Sequence, residues 1–308
     1  MFEGNIIRKN FISALMSSII PVITIYSYCV FVGLYCIDDH KLEHVFDIIL
    51  FLIFHFILLY TMIFYMRILS TEDESTINKF PHIQSDKIEV SLEDVNPFVE
   101  QEIMKKKIKS IQICNVCNTY KPPRSHHCSF CRKCYLKMDH HCFPLGTCIA
   151  FHNYKFFYNF LVLNSIFTLF NVVVLMFGIF KSNSRGRYKT NYIISIVFNF
   201  IDFCVSTYFI SFHTKLISMN ETTVENLALD EILNGDTHAI NIFQEGPLLS
   251  YTESKDRYVL NPYNLGKREN WIQVFGHTKK DWVLPSFTSV GDGIAFPKNY
   301  KEEDSFDV

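Results

Sequence analysis

The chain of 308 residues lacks any surplus of charge: 29 Lys and Arg stand against 31 Asp and Glu, a formal net charge of −2. Without a basic excess there is no electrostatic footprint for a phosphate backbone, so a nucleic-acid binder is set aside. Internal repeats and Gly/Ser-rich linkers are also missing, which argues against a solenoid or a string of tethered modules. No cleavable leader is expected either. The first apolar run is far longer than a signal h-region and has no small-residue cleavage site, so it reads as an anchor.

Charge is most conspicuously absent from four long runs, where much of the 16 % aromatic content and many of the 30 Phe are concentrated. A bilayer takes about 20 apolar residues at about 1.5 Å each. Phe11–Cys36, with Pro21 as an expected kink, Ile48–Met66 and Phe157–Phe180 carry no charge, and Tyr192–Phe212 carries only Asp202. One such run alone would pass for a buried core helix. Four of them, separated by polar segments, predict an all-α polytopic membrane protein. Arg8 and Lys9 before the first run, and the acidic IDDHKLEH after it, place the N-terminus in the cytosol. Four spans then return the C-terminus to the same side. Lys181, Arg185, Arg187 and Lys189, between the third and fourth spans, fall on the far side and run against the positive-inside tendency. Two ionisable groups lie at membrane depth: His55, read as a hydrogen-bonded imidazole, and Asp202, without an assigned role.

The polar segments divide the chain into 1–66 (tail and first two spans), a charged cytosolic connector at 67–113, a cysteine-rich domain at 114–156, spans three and four at 157–212, and a cytosolic tail at 213–308. The basic stretch MKKKIKS at 104–110 reads as a solvated face, and the acidic end KEEDSFDV reads as disordered.

Three of the ten cysteines, Cys29, Cys36 and Cys204, lie in or beside apolar runs and read as small buried hydrophobes. The other seven fall between 114 and 148, as C-x2-C, then H-H-C-x2-C-x2-C, then D-H-H-C-x5-C. In a reducing cytosol, paired cysteines at this spacing predict zinc clips rather than disulfides. Two tetrahedral sites need eight ligands, which six cysteines and two histidines supply as two Cys3His sets. A segment so poor in aliphatic residues requires such staples to fold, so the zinc is structural.

That count leaves over one cysteine, two histidines and an aspartate, and the surplus has the shape of an activated nucleophile. A thiol with a pKa of about 8.5 needs a base to react at neutral pH. In extended chain, residues i and i+2 face one way, so His140 and Cys142 share a side while His141 turns to the metal. Asp139 then holds the His140 tautomer, provided the chain bends to bring the two together. Cys142 sits shortly before the third span among Phe143, Phe151, Phe156 and Phe157. A thiol placed there suits an acyl chain resting in the bilayer, with transfer from acyl-CoA to Cys142 and onward to another thiol.

Residues 114–157 resemble the cysteine-rich domain of the DHHC protein S-acyltransferases (palmitoyltransferases), through CNVC, KPPRSHHCSFCRKC, MDHHC, Cys148 and NYKFF. The four-span layout, with this domain between the second and third spans, is that family's too. After the fourth span, Thr222, Thr223 and Glu225 match its TTxE pattern. Asn261, Tyr263, Gly266, Asn270, Trp271 and Gly276 match its C-terminal aromatic-and-asparagine motif. The resemblance implies two interleaved zinc sites, one of Cys114, Cys117, His127 and Cys134, the other of Cys128, Cys131, His141 and Cys148. It implies Cys142 as the autoacylated nucleophile, His140 as general base and Asp139 as the orienting acid. It places Thr222 near that acid and Asn270 as a brace against the membrane helices. No cofactor-binding residues are assigned beyond the zinc ligands.

The implied activity is a two-step S-palmitoyltransferase: palmitoyl-CoA is the acyl donor and the acceptors are membrane-proximal cysteines of proteins at the cytosolic face. The expected address is an endomembrane, ER or Golgi rather than plasma membrane, with both termini cytosolic. Such enzymes usually read DHHCPWxxNCxG, whereas this chain reads DHHCFPLGTCIA, and STEDES stands where the family carries DPG. The altered residues Phe143, Pro144, Thr147 and Ala150 bear on packing around the thiol. The alternative they raise is an impaired zinc-binding membrane scaffold of the same fold.

Overall fold

The computed structural model describes residues 13–39, 44–71, 75–82, 112–181, 186–235 and 257–299. Four of its helices are long and apolar enough to cross a membrane: Ser13–Asp38, Val45–Ser70, Tyr154–Phe180 and Tyr188–Met219. The first contains α1 (Ile19–Tyr28), which continues as π-helix over Cys29–Asp39. The helical bonds continue through Ser18, whose N–H donates to the Ala14 carbonyl at 3.2 Å and whose carbonyl accepts from Val22 at 3.0 Å, while Pro21, lacking an N–H, leaves the Ser17 carbonyl without its bond in the ladder just before α1. The second is α2 (Val45–Ser70). The third and fourth, here α4 (Tyr154–Lys181) and α5 (Gly186–Met219), are longer than the runs expected from hydropathy. The expected connector and tail each lose residues to the spans: α2 runs on to Ser70 and α5 to Met219.

Large apolar side chains such as Val22, Phe56, Leu59, Phe177 and Val197 point outward and are exposed. That surface is stable only against lipid. Inside, Phe31 stacks on Phe54 at 4.2 Å, and Phe54 meets Phe167 at 5.3 Å. Polar groups inside the bundle pair with one another, as a solvent without hydrogen bonds demands. The Asn199 amide donates to Ser27 Oγ at 2.8 Å, and the Asn164 amide donates to both Asp202 carboxylate oxygens at 3.1 Å. Asp202 is thereby accounted for as a partner of α4. His55 Nδ1 bonds the Phe51 carbonyl at 2.8 Å, the hydrogen-bonded imidazole expected.

Between α2 and α4 the chain forms a short helix, α3 (Thr76–Lys79), and three two-stranded antiparallel hairpins. These pair β1 (Ile113–Cys114) with β2 (Thr119–Tyr120), β3 (His126–Cys128) with β4 (Lys133–Tyr135), and β5 (His140–Cys142) with β6 (Thr147–Ile149). Residues 75–80 of the connector pack onto the hairpins. Ser75 bridges to Tyr135, the Thr76 and Thr119 hydroxyls bond at 2.9 Å, and Phe80 packs with Leu136 and Phe151. The MKKKIKS stretch and the acidic end lie outside the described residues.

The chain beyond α5 folds back onto this layer as α6 (Thr223–Leu233), α7 (Arg257–Leu260), α8 (Lys267–Phe275) and α9 (Lys279–Val283). A helix end leaves carbonyls without partners. At the end of α5, Asn270 donates to the Ser218 carbonyl at 2.8 Å and Asn261 to the Met219 carbonyl at 2.7 Å. Asn270 therefore does brace the C-terminal motif against a membrane helix. Trp282 stacks on Trp271 at 5.5 Å and donates to the Gly276 carbonyl.

One buried guanidinium joins the hairpins to this junction. Arg124 is 2 % exposed; its Nε and Nη2 each donate to a Glu225 carboxylate oxygen at 2.7 Å, and Nη1 donates to Asn220 Oδ1 at 3.1 Å. Its charge lies over the ring of Tyr263 at 4.3 Å and near that of Phe296 at 5.0 Å. Burial pushes the Glu225 pKa up, but the Arg124 charge, its hydrogen bonds and the Thr222 N–H outweigh that and hold it below the usual carboxylate value. With the folded pKa depressed, the pair's contribution is present above the unfolded value of about 4.3 and is lost as pH falls through the lower folded one. Removing one partner of a buried pair strands the other, at about 3–5 kcal/mol. Glu225→Ala is therefore expected to lower the thermal midpoint of the purified protein substantially at pH 7, and an unchanged midpoint would refute the clamp.

Candidate functional site

The C-x2-C turns at 114–117 and 128–131 fold alike. Asn118 and Arg132, one residue after each second cysteine, adopt left-handed φ of 51° and 57°. Their N–H groups donate to the Cys114 and Cys128 carbonyls at 2.7 Å. The second cysteine's N–H points back at the first sulfur, Cys117 to Cys114 at 3.5 Å and Cys131 to Cys128 at 3.4 Å. Thiolates need such donors when they carry charge. The turns thus present sulfurs already prepared for a cation.

Each turn meets ligating groups from hairpins further along. His127 Nδ1 lies 3.6 Å from Cys114 Sγ, 3.3 Å from Cys117 Sγ and 3.8 Å from Cys134 Sγ. His141 Nδ1 lies 3.7 Å from Cys128, 3.4 Å from Cys131 and 3.6 Å from Cys148. Zinc–ligand bonds of about 2.0–2.3 Å in a tetrahedron require ligand separations of about 3.3–3.8 Å. These two clusters could therefore hold a metal ion each. The interleaving follows from register: His127 pairs with Cys134 across β3–β4, and His141 pairs with Cys148 across β5–β6.

Strand β5 sorts its residues by alternation. His141 turns to the second cluster, with the Phe130 ring stacked on it at 5.0 Å, and His140 turns the other way. The bend that the sequence could not reveal is present, since Asp139 Oδ2 accepts from His140 Nδ1 at 2.6 Å. Asp139 is fully buried and needs further donors; Thr223 supplies its N–H at 3.0 Å and its hydroxyl at 2.7 Å. Thr222 lies near the acid as expected, lining the same cavity, but it is not the residue bonded to it. The Thr222 hydroxyl is taken by the N-terminus of α6, where it accepts from Glu225 N while Glu225 accepts from Thr222 N. Thr223 is the residue at the acid.

Burial opposes ionisation of Asp139, but the hydrogen bond and charge of His140, with Thr223, hold its pKa below the ordinary value. Burial likewise opposes charge on His140, yet the hydrogen bonds to Asp139 and Cys142 prevail and push its pKa up to about 9. Cys142 belongs to neither metal cluster. It packs against an apolar group formed by Phe64 and Ile68 of α2, Phe156, Phe157 and Phe160 of α4, and Leu145. The unusual residues after it are built into the packing. Phe143–Leu145 form a 3-10 turn closed by Gly146 at φ 66°, with the Phe143 ring edge-on to Phe130 at 4.7 Å.

Sequence reasoning missed His213. It is 1 % exposed, lies near the end of α5, and is bonded through Nδ1 to the Tyr154 hydroxyl at 2.9 Å. Its ring centroid is 5.7 Å from that of His140. A lone histidine at the end of an apolar run carries no spacing signal.

Comparison with known proteins covers the same residues. A family profile described as DHHC palmitoyltransferase matches residues 107–230. Palmitoyltransferase ZDHHC15 of Xenopus laevis is 30 % identical over 266 residues, covering 80 % of this chain and 70 % of that protein. Palmitoyltransferase ZDHHC2 of Danio rerio is 30 % identical over 296 residues, covering 90 % and 74 %. The human ZDHHC15 is 29 % identical over 301 residues, covering 92 % and 82 %. The profile runs through every hairpin to the helix that carries Thr223, and the pairwise matches reach far beyond it; the chain belongs to the DHHC palmitoyltransferase family.

Proposed function

We propose that the protein is a protein S-acyltransferase that moves a long-chain acyl group, palmitoyl in the first instance, from acyl-CoA through a Cys142 thioester to cysteines of other proteins. The observation that carries this reading is the Asp139–His140 hydrogen bond beside a cysteine left out of both metal clusters and resting on the apolar ends of α2 and α4. His140 Nδ1 stays on Asp139, and its other nitrogen takes the Cys142 proton. The Sγ attacks the thioester carbonyl of acyl-CoA; the carbon–sulfur bond to CoA breaks, and the departing thiolate takes the proton from His140. In the second half a substrate thiol gives its proton to His140 and attacks the Cys142 thioester, restoring the free thiol. Asp139 orients the base and stabilises the imidazolium.

Two zinc ions fit the Cys114/Cys117/His127/Cys134 and Cys128/Cys131/His141/Cys148 sets, and their part is to hold the hairpins, not to meet substrate. The hairpins and the α5–α6 junction share one end of the bundle, which we assign to the cytosol, where reduced thiols and acyl-CoA coexist. Acceptor cysteines must then lie close to the membrane. The residues that depart from the usual motif leave the Asp139–His140 bond intact, so we place no weight on an impaired scaffold.

Labelling with a palmitate analogue is expected to give a hydroxylamine-sensitive thioester that Cys142→Ala abolishes, with His140→Ala slowing its formation about 10²- to 10⁴-fold; equal labelling of Cys142→Ala sinks the mechanism. Thr223→Val deletes one bond to a charged acid, about 1.5 kcal/mol, and is expected to slow labelling about tenfold. Thr222→Val deletes a helix cap, and is expected to cost about 1 kcal/mol of stability with a smaller effect on rate. The reverse order in a rate assay would return the acid's partner to Thr222. Elemental analysis is expected to find two zinc ions per chain, and about one in Cys128→Ala, in keeping with separate four-ligand sites; loss of metal without loss of folding would refute the structural role.

A further inference from the structure

His213 has no part in the scheme above, yet it is packed against the base. Its ring is tilted 37° to the His140 ring, and Phe157 stands edge-on to both, 5.4 Å from His140 and 5.0 Å from His213. One ligating-type atom from each of Asp139, His140 and His213 lies within 4.8 Å of the others. Two histidines and a carboxylate also have the composition of a metal site. Here, however, the donors and acceptors are already engaged, Asp139 with His140 and Thr223, His213 with Tyr154. A buried imidazole is costly unless paired, and the pair here is a hydroxyl from the first turn of α4. Spans three and four thus jointly build a hydrogen-bonded wall beside His140.

The base needs such a wall. Asp139 holds the His140 ring at Nδ1, and the ring's other hydrogen bond, to Cys142, is lost once that thiol is acylated, after which a ring held at one atom can swing about the Asp139 bond. The catalytic geometry requires the opposite nitrogen to stay on Cys142 within a few tenths of an ångström. His141, next along β5, is committed to the other side. A second contact must therefore come from outside the strand, and His213 with Phe157 provides it.

We propose that His213, anchored by Tyr154, is a positioning residue for acyl transfer: it fixes the plane of the His140 ring so that its free nitrogen remains on the Cys142 thiol. This rests on reading His140 as the base. The test uses the purified full-length protein and palmitoyl-CoA, following Cys142 thioester formation and CoA release. His213→Ala is expected to slow thioester formation about 10- to 100-fold, the usual cost of a misplaced catalytic group. The KM for palmitoyl-CoA is expected to stay within about threefold, because substrate binding is untouched. His213→Gln, which can still bond the Tyr154 hydroxyl, is expected to recover most of the rate. A residue that acts through His140 must also be silent without it, so His140→Ala/His213→Ala is expected to be no slower than His140→Ala alone.

An additive loss in the double variant would overturn the proposal. So would a wild-type rate in His213→Ala, or a loss that follows zinc content and thermal midpoint and that glutamine does not rescue. A thioester that survives Cys142→Ala is a separate result, and would overturn the reading of Cys142 itself.

Discussion

A carboxylate with no access to water has to be given donors, and the site of this protein is organised around the way Asp139 obtains them. His140 supplies one from the adjacent residue, and Thr223 supplies two from a point 84 residues further along the chain. The bonds from Thr223 cross from the hairpin layer to the first turn of the helix after the fourth span. A single buried group thereby requires the cysteine-rich segment, the end of α5 and the start of α6 to be in place together. Arg124 and Glu225 repeat the requirement at the same junction with a second buried charge pair. Neither pair is a strong source of net stability, since desolvation consumes much of the Coulomb gain. What they add is a condition on geometry, because undocking the layer would strand these charges without their partners.

The metal clusters solve a different problem. The hairpins have two or three residues per strand and little apolar area, too little to hold a fold. Cysteines of the two candidate metal clusters make up most of what is buried at their centre. Because the sites interleave, His127 and Cys128 are neighbours in one strand but serve different clusters. The second cluster takes its last two ligands, His141 and Cys148, from either side of Cys142. Strand β5 is fixed by its middle residue, and His140 and Cys142 are displayed on the opposite face as a consequence of the pleat.

How far this was legible from sequence depended on whether the governing physics is local. Apolar runs of bilayer length announce spans, and C-x2-C spacing announces clips, because both are properties of a few consecutive residues. Alternation along DHHC separated His141 from His140 and Cys142 for the same reason. The ends of the spans were not legible. α5, for one, runs into polar sequence as far as Met219, where Asn270 and Asn261 cap its last carbonyls from elsewhere in the chain. The choice between Thr222 and Thr223 was invisible too. One hydroxyl is consumed by a capping box and the other reaches an acid, and only the start of α6 decides which. Residues 75–80 read only as part of a charged connector because their reason for order, the surface of β4 and the ring of Phe151, lies far along the chain.

The departures after the motif bear on the same division. In CFPLGT, a proline in the first turn of a 3-10 segment and a glycine at φ 66° turn the chain sharply back into β6, so that Thr147 pairs with Cys142. The turn places Leu145 in the cluster under the thiol and Phe143 against Phe130, away from it. Leu145 joins Phe64, Phe156 and Phe160 there, an apolar surface that meets whatever rests on it through dispersion and the exclusion of water. Such contacts have no direction, so they do not by themselves orient the sulfur. Directional contacts lie on the other side of the strand, where His140 is gripped by Asp139, with Phe157 and His213 beside it. The departures in CFPLGT therefore reshape an apolar surface and leave those contacts as they are.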